Sequence, residues 1–388
     1  MIVALKELGD IYTGNTPSKK INEYYDSNDI YFVKPDIISD SEVSIISNSS
    51  EYISEKARDK ARIAPQNSIF VTCIGTIGKI GIASDGEFAF NQQINTIKPN
   101  DSTIPKYLAY NLFYSKSRLK AISNAPVVPI INKSQFSEFT INIETDKLKQ
   151  QKIVSTLDKL QSIITHRRTQ LEKLDLLVKA RFVEMFGDVV KNNKQWNCFA
   201  LCNVSDIVSG ITKGRKIKET KLIEVPYMAV SNVKDGYIDF STLKTIFATP
   251  SEIERYRIIP EDILMTEGGD PDKLGRGAII YQIPQNCIHQ NHIFRVRLKD
   301  SILPLYFSEY LKTQKTKRYF LECAKQTTGI ASINMKQLKA LPVLVPPLDL
   351  QIQFADFVKQ VDQSKSILQQ ELDKAQTLFD SLMQEYFG

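Results

Sequence analysis

Two long stretches of this chain carry apolar residues at alternating spacings of three and four. From Lys147 to Met185 they fall at Ile153, Leu157, Leu160, Ile164, Leu171, Leu174 and Val178, and Arg167 takes the place of one layer. The second series runs Phe354, Val358, Val361, Leu368, Leu372, Ala375, Phe379, Leu382 and Tyr386, interrupted by Lys365. A period of about 3.5 residues, held over about four heptads, predicts coiled-coil helices. Thr145-Asp146 is a candidate N-cap for the first, Pro346-Pro347 opens the second, and Gly187 and Gly388 mark the ends. Helices of about 38 residues would each span roughly 57 Å.

Shorter apolar runs fill the stretches between. Ile30–Val33, 68–71, 225–230 and Ile293–Leu298 read as strands, and segments near 105–122 and 304–325 read as helices. Each half is therefore a mixed α/β (α+β) globule followed by a long helix. The plan is written twice, about 200 residues apart: Leu5–Gly14 is echoed by Leu201–Gly210, Asn91-Gln92-Gln93-Ile94 by His289–Ile293, and both copies end in Phe-Gly. Such a period is too long for a solenoid of roughly 20–50-residue repeats. It predicts a duplicated unit, with boundaries at 1–145, 146–187, 196–345 and 346–388.

An apolar seam needs a partner, and the order globule, helix, globule, helix supplies one. The linker 188–200 is too short to return along a whole helix, which favours antiparallel pairing of the two and a pseudo-twofold repeat. Leu157, Leu160, Ile164, Leu171 and Leu174 would meet Val358, Val361, Leu368, Leu372 and Phe379. Pairing in trans, in a homodimer, is the alternative. Leu177, Phe182 and Phe186 lie off the seam and suggest a second contact surface.

Composition adds little until its distribution is considered. The 388-residue chain carries a formal charge of +6, no apolar run near the length of a membrane span, and no signal-peptide order at its start, which predicts a cytoplasmic protein without membrane contact. Residues 105–137 contain Lys106, Lys116, Arg118, Lys120 and Lys133 and no acid. The equivalent stretch 311–340 contains Lys312, Lys315, Lys317, Arg318, Lys325, Lys336 and Lys339 against Glu322 alone. Repetition of the cluster points to phosphate-facing surfaces, with Lys116, Arg118, Lys120, Lys315, Lys317 and Arg318 as candidate contacts. A solvated helix face is the alternative.

Each copy also has a glycine-rich turn carrying cations: 73–79 with Thr76 and Lys79, and 267–277 with Lys273 and Arg276. The Gly-Lys-Ser/Thr register of a P-loop is absent. The turn is followed by Asn91, Gln92 and Gln93 in one copy and by His289, Gln290, Asn291 and His292 in the other. Amides and imidazoles of this kind suit base edges in a major groove, and equally suit hydrogen bonds that hold a loop. Cys287, His289 and His292 could be drawn as a zinc site, but a fourth ligand is missing. The five cysteines form no paired framework.

Gly75-Thr76-Ile77-Gly78-Lys79 with Asn91-Gln92-Gln93, and Ala340–Leu348 before the second helix, resemble the specificity subunit of type I restriction-modification systems over the whole chain. Asp146-Lys147-Leu148 departs from the family's usual Pro-Pro-Leu, and the second copy lacks the Gly-Thr-Ile-Gly form. The resemblance implies two target recognition domains, each reading one half of a bipartite double-stranded DNA sequence. It implies paired helices that separate them and dock two methyltransferase subunits, and a complex that recruits nuclease/translocase subunits. S-adenosylmethionine, ATP and Mg would then belong to partner subunits only, and this chain would hold no cofactor or metal. The sequence contains no Asn/Asp-Pro-Pro-aromatic methyltransferase motif, and neither Pro35-Asp36 nor Pro271-Asp272 is followed by an acid-x-Lys nuclease pattern within about 60 residues, so no catalytic residue is assigned. The competing classes are a coiled-coil protein scaffold and the recognition part of a fused restriction-methylation enzyme.

Overall fold

The structure, a computed structural model, describes residues 1–123, 128–216, 221–269, 274–327 and 330–388. It divides into two compact units, Met1–Thr169 with Leu368–Gly388, and Gln170–Ile367.

The first unit is built on a five-stranded sheet. β1 (Gly9–Thr13) lies beside β4 (Ile94–Pro99), followed by β2 (Ile69–Thr72), β3 (Ile80–Ala83) and the short strand Ser44–Ile46. β2 and β3 are wholly buried four-residue strands, with apolar residues on both faces. A second sheet pairs Ile30–Val33 in parallel with Phe88–Phe90. The second unit repeats the order with β5 (Ser205–Ser209), β8 (Ile293–Leu298), β6 (Ile263–Thr266) and β7 (Gly277–Ile279), and again pairs Ile223–Met228 in parallel with Ile288–His289.

Each expected basic helix is two helices: α1 (Pro105–Tyr114) and α2 (Lys116–Ala121) in unit 1, α4 (Pro304–Leu311) and α5 (Gln314–Cys323) in unit 2. Pro at the first position suits α1 and α4. The break before α5 has a local cause. Thr313 takes an extended conformation, and the Tyr310 carbonyl accepts from the Thr313 and Thr316 hydroxyls at 2.8 and 3.0 Å as well as from the Thr313 N–H at 3.1 Å.

The long helices are α3 (Lys147–Phe186) and α6 (Leu348–Phe387), 40 residues each. Asp146 caps α3, accepting from the Leu148 N–H at 2.8 Å, and Gly187 leaves the helix at φ +78°. In unit 1, Leu157 and Ile164 of α3 are buried in one core with Ala375, Phe379 and Met383 of α6, flanked by half-buried Leu160 and Leu372. In unit 2, Val178 of α3 packs with Val358 and Val361 of α6, and half-buried Leu174 joins them. The start of each helix meets the end of the other, so the pairing is antiparallel and within one chain. The polar interruptions are paired too: Arg167 with Glu371 at 2.9 Å in unit 1, Lys365 with Asp175 at 2.6 Å in unit 2. Leu171 and Leu368 are only half-buried and fall in neither core.

One expectation is corrected. Phe182 and Phe186 do not form an outer contact surface. They are buried against Tyr306 and Phe354 of their own unit, with ring centroids 4.7–5.6 Å apart, whereas Leu177 is exposed. The aromatic side chains reach from the helix into the globule and weld the two together.

A residue pair with no heptad signature also fixes the helices. Gln150, in the first turn of α3, accepts from the Ile104 N–H at 2.8 Å and donates to the Glu144 carbonyl at 2.7 Å. Gln351 of α6 repeats this with the Leu303 N–H at 2.9 Å and the Pro346 carbonyl at 2.8 Å. Both amides are fully buried, and each satisfies an orphan N–H at the start of the neighbouring helix.

Candidate nucleic-acid interface

In each unit the glycine-rich turn between the second and third sheet strands lies against the segment that leads into β4 or its counterpart β8, held by the same two main-chain bonds. Cys73 N donates to the Gln93 carbonyl at 2.7 Å, and its own carbonyl accepts from Ile131 N at 2.8 Å. Glu267 N donates to the His292 carbonyl at 3.0 Å, and its carbonyl accepts from Ile333 N at 2.8 Å. The backbone thereby equates Cys73 with Glu267 and Gln93 with His292. Gly14 and Gly210 close the frame from below. A Cβ at Gly14 would lie 2.2 Å from the Asn91 carbonyl oxygen, and one at Gly210 would lie 1.9 Å from that of His289. Close backbone approach therefore demands glycine at both positions.

The basic helices reach the same turns. Gly78 packs on the Lys116 side chain and Gly275 on the Phe320 ring, both at positive φ. Lys116 donates to Asp40 Oδ1 at 2.7 Å and to the Asp40 carbonyl at 2.9 Å, and its side chain is only 17% exposed. The Lys116 hydrogen bond, with the nearby charges of Lys120 and Lys79, holds the Asp40 carboxyl below the usual range. Lys116 is thus a loop anchor rather than a free phosphate contact. Arg118 lies over the Phe139 ring and donates to the Thr140 carbonyl at 2.9 Å, and Lys120 is exposed. In unit 2, Lys317 and Arg318 are exposed and Lys315 is half-buried. Lys317 lines a hollow with Lys312, Arg276 and Asp235 beside the glycine turn.

The turn residues divide by exposure. Thr76 and Gln92 face solvent, with Gln92 Oε1 accepting from the Thr16 hydroxyl at 2.9 Å. Half-buried Lys79 donates to the Pro35 carbonyl at 2.9 Å. Asn91 is buried and corrects the sequence expectation: its amide donates to Gln93 Oε1 at 2.8 Å while its Oδ1 accepts from Gln93 N at 3.1 Å, so it shapes the turn that carries Gln92 and Gln93.

His289 is corrected likewise. It has no exposed surface, and its Nδ1 donates to the Ile293 carbonyl at 3.0 Å. Burial in an apolar surround, aided by the Arg295 charge, pushes its pKa down to about 4, so it is a neutral core group. Gln290 Oε1 accepts from the Val230 N–H at 3.3 Å. Asn291 is half-buried, and exposed His292 places Nδ1 at 2.5 Å from Glu267 Oε2. Arg276 is partly exposed, while Lys273 lies outside the described residues.

Burial also raises the Cys287 thiol to about 12, which opposes formation of the thiolate a metal needs. Among the described residues no group of His, Cys, Asp and Glu is arranged to hold a metal ion, and no helix is long and apolar enough to cross a membrane. The sequence matches the two turns from Cys73 and Glu267 onward but, because they differ in length and composition, assigns Glu267 no role; the shared main-chain bonds fix its register with Cys73.

The repeated strand order, the paired helices and the divergent loops on a common frame have counterparts in known proteins. The chain is 21% identical over 380 residues to the type I restriction enzyme EcoKI specificity subunit of Escherichia coli (strain K12), a match covering 94% of this chain and 78% of that one. It is 22% identical over 408 residues to the StySPI specificity subunit of Salmonella potsdam, covering 98% and 82%. Its fold is shared with the crystal structure of a type I restriction-modification S subunit from M. genitalium, at a TM-score of 0.57 and 17% identity, covering 100% of this chain and 96% of that one. A chain from a structural study of type I restriction-modification complex assembly and conformational transition gives a TM-score of 0.59 at 16% identity, covering 100% and 97%. The family model described as type I restriction modification DNA specificity domain matches residues 1–175 and again 193–377, so the chain belongs to that family twice over, once in each of its repeats.

Proposed function

We propose that this chain is the sequence-reading subunit of a type I restriction-modification enzyme and performs no covalent chemistry of its own. Residues 1–145 and 196–345 would each act as a target recognition domain on one half of a bipartite duplex, and the helices 146–187 and 346–388 would dock two methyltransferase subunits. Nuclease/translocase subunits would join through that complex, and S-adenosylmethionine, ATP and Mg would belong to the partner subunits.

The observation that carries the reading is the common main-chain frame of the two turns with different side chains on it: a constant scaffold with variable tips is what two unequal half-sites require. Exposed Lys120, Lys317 and Arg318 supply sequence-independent attraction, with Arg118 and Lys315 beside them. Thr76, Lys79, Gln92 and Gln93 in unit 1, and Arg276, Gln290, Asn291 and His292 in unit 2, are the proposed base-facing set. Lys273 completes it by sequence alone. Asn91 and His289 support their loops from within.

The test is duplex binding and methylation profiling of the complex assembled with its methyltransferase subunits. Affinity for random duplex should fall steeply with salt, and methylation should mark one two-part sequence. Salt-independent binding, or the absence of a two-part sequence, would overturn the proposal in favour of a protein-binding scaffold.

A further inference from the structure

We infer that Glu267 is a base-reading residue of the second half-site, that it selects a base presenting an amino group to the major groove (cytosine or adenine), and that His292 positions its carboxylate. The inference rests on the proposed DNA-reading role and goes beyond it by naming a reader and the chemistry it reads.

Three observations converge on this side chain. Glu267 opens the glycine-rich turn of unit 2, on the main-chain frame shared with Cys73, yet the two residues are chemical opposites. Cys73 is buried and its thiol is pushed up to about 12, so it is a silent core group. The Glu267 side chain keeps 34% of its surface exposed at the same place in the frame. The position thus turns outward in one repeat only.

Glu267 is also rigidly placed. Its N–H and carbonyl are both used, by His292 and Ile333, and the adjacent Gly268-Gly269 pair forms an antiparallel ladder with Ala331 and Ser332. An acceptor held by both of its main-chain groups offers a fixed direction to a ligand.

The contact with His292 sets the chemistry. Nδ1 of the imidazole must carry the proton to bond a carboxylate oxygen at 2.5 Å. In the neutral ring this leaves Nε2 as an acceptor, which faces the Asn291 amide at 3.4 Å. The chain Asn291, His292, Glu267 therefore runs donor to acceptor and ends on a carboxylate, whose oxygens can only accept. Cytosine N4 and adenine N6 are the amino donors of the major groove, whereas guanine and thymine offer acceptors at the corresponding edge and would repel a carboxylate. The pair therefore discriminates by rejection as well as by attraction.

The experiment uses the complex with its methyltransferase subunits on a randomised duplex library, read by methylation sequencing, with E267Q, E267A, H292Q and H292A variants. For the unaltered chain, one position of one half-site should demand cytosine or adenine. E267Q, which can donate as well as accept, should relax that letter by roughly ten- to a hundred-fold and leave all other letters unchanged. E267A should do the same. H292A should relax the same letter, and H292Q, which can still donate to the carboxylate, should restore part of the preference. If both Glu267 variants keep the recognition sequence intact, Glu267 is not a reader. If they blur every letter of the half-site, the role is structural; either result overturns the inference. Failure of the unaltered complex to select any two-part sequence would instead remove the function proposed above. E267Q preserves shape at a solvent-facing site, so it tests the inference even if E267A fails to fold.

Discussion

His289 shows how one residue type in one motif takes two fates. Two histidines share the run His289–His292, yet the chain leaves its strand between them, so His289 turns into the core and His292 turns out. The buried imidazole has a pH signature. Its folded pKa, near 4, lies below the ordinary value of 6.5, so between the two the unfolded chain binds the proton more readily. Stability contributed by neutral His289 is therefore present above pH 6.5 and is lost as pH falls toward 4. A His289→Asn variant, whose amide can replace the Nδ1–H donor, should show a flatter stability profile across that window in thermal unfolding; an unchanged slope would mean that another group is responsible. Gly210 offers a second residue-scale check. An alanine there would drive its Cβ into the His289 carbonyl and should cost about 1–3 kcal/mol, with the matching Gly14→Ala change acting on the other unit.

At the scale of elements, the long helices were legible from the sequence and their attachment was not. The heptad series predicts α3 and α6 nearly to the residue because an apolar seam has a period, and Asp146 and Gly187 mark ends by local chemistry. The sequence locates the basic helices but not their breaks at Ser115 and Thr313; at the second, hydroxyls competing for the Tyr310 carbonyl leave no periodic trace. Gln150 and Gln351 were invisible for a related reason: a glutamine in a polar first turn reads as solvated until a loop is folded over it. The two amides predict a specific loss. Gln150→Ala should leave the Ile104 N–H and the Glu144 carbonyl without their partner and cost about 1–3 kcal/mol. Gln351→Ala should cost a similar amount in the other unit, and the double variant should show the sum, since the residues share no partner. Chemical denaturation of the single and double variants measures this; a near-zero effect would show that water replaces both bonds freely. The candidate site was half legible. Residue types at the turns pointed to recognition, but which of them face outward depends on strand phase and on an asparagine folding back on its own loop.

For the whole molecule, the proposed function separates attraction from reading, and the environments of the cations say where that separation would lie. The sequence treats Lys116, Lys315, Lys317 and Arg318 alike, because a count of charges carries no information about partners. The structure distinguishes them. Lys116 is tied to Asp40 at 2.7 Å with little exposure, so its charge is largely neutralised within the protein, whereas Lys317 and Arg318 are exposed. Each cation that neutralises a phosphate contributes about 0.9 to the slope of log affinity against log salt. Replacing Lys315, Lys317 and Arg318 together by alanine should therefore lower the slope by about 2–3 and weaken binding to all duplex sequences alike. Lys116→Ala should leave the slope nearly unchanged and instead loosen the loop that carries Asp40, seen as faster hydrogen exchange around residues 38–43. Salt titrations on random duplex for both variants decide the matter. An equal drop in slope for Lys116→Ala would mean that the Asp40 pair opens on DNA, and no drop for the triple variant would place the phosphate-binding surface elsewhere in the second unit.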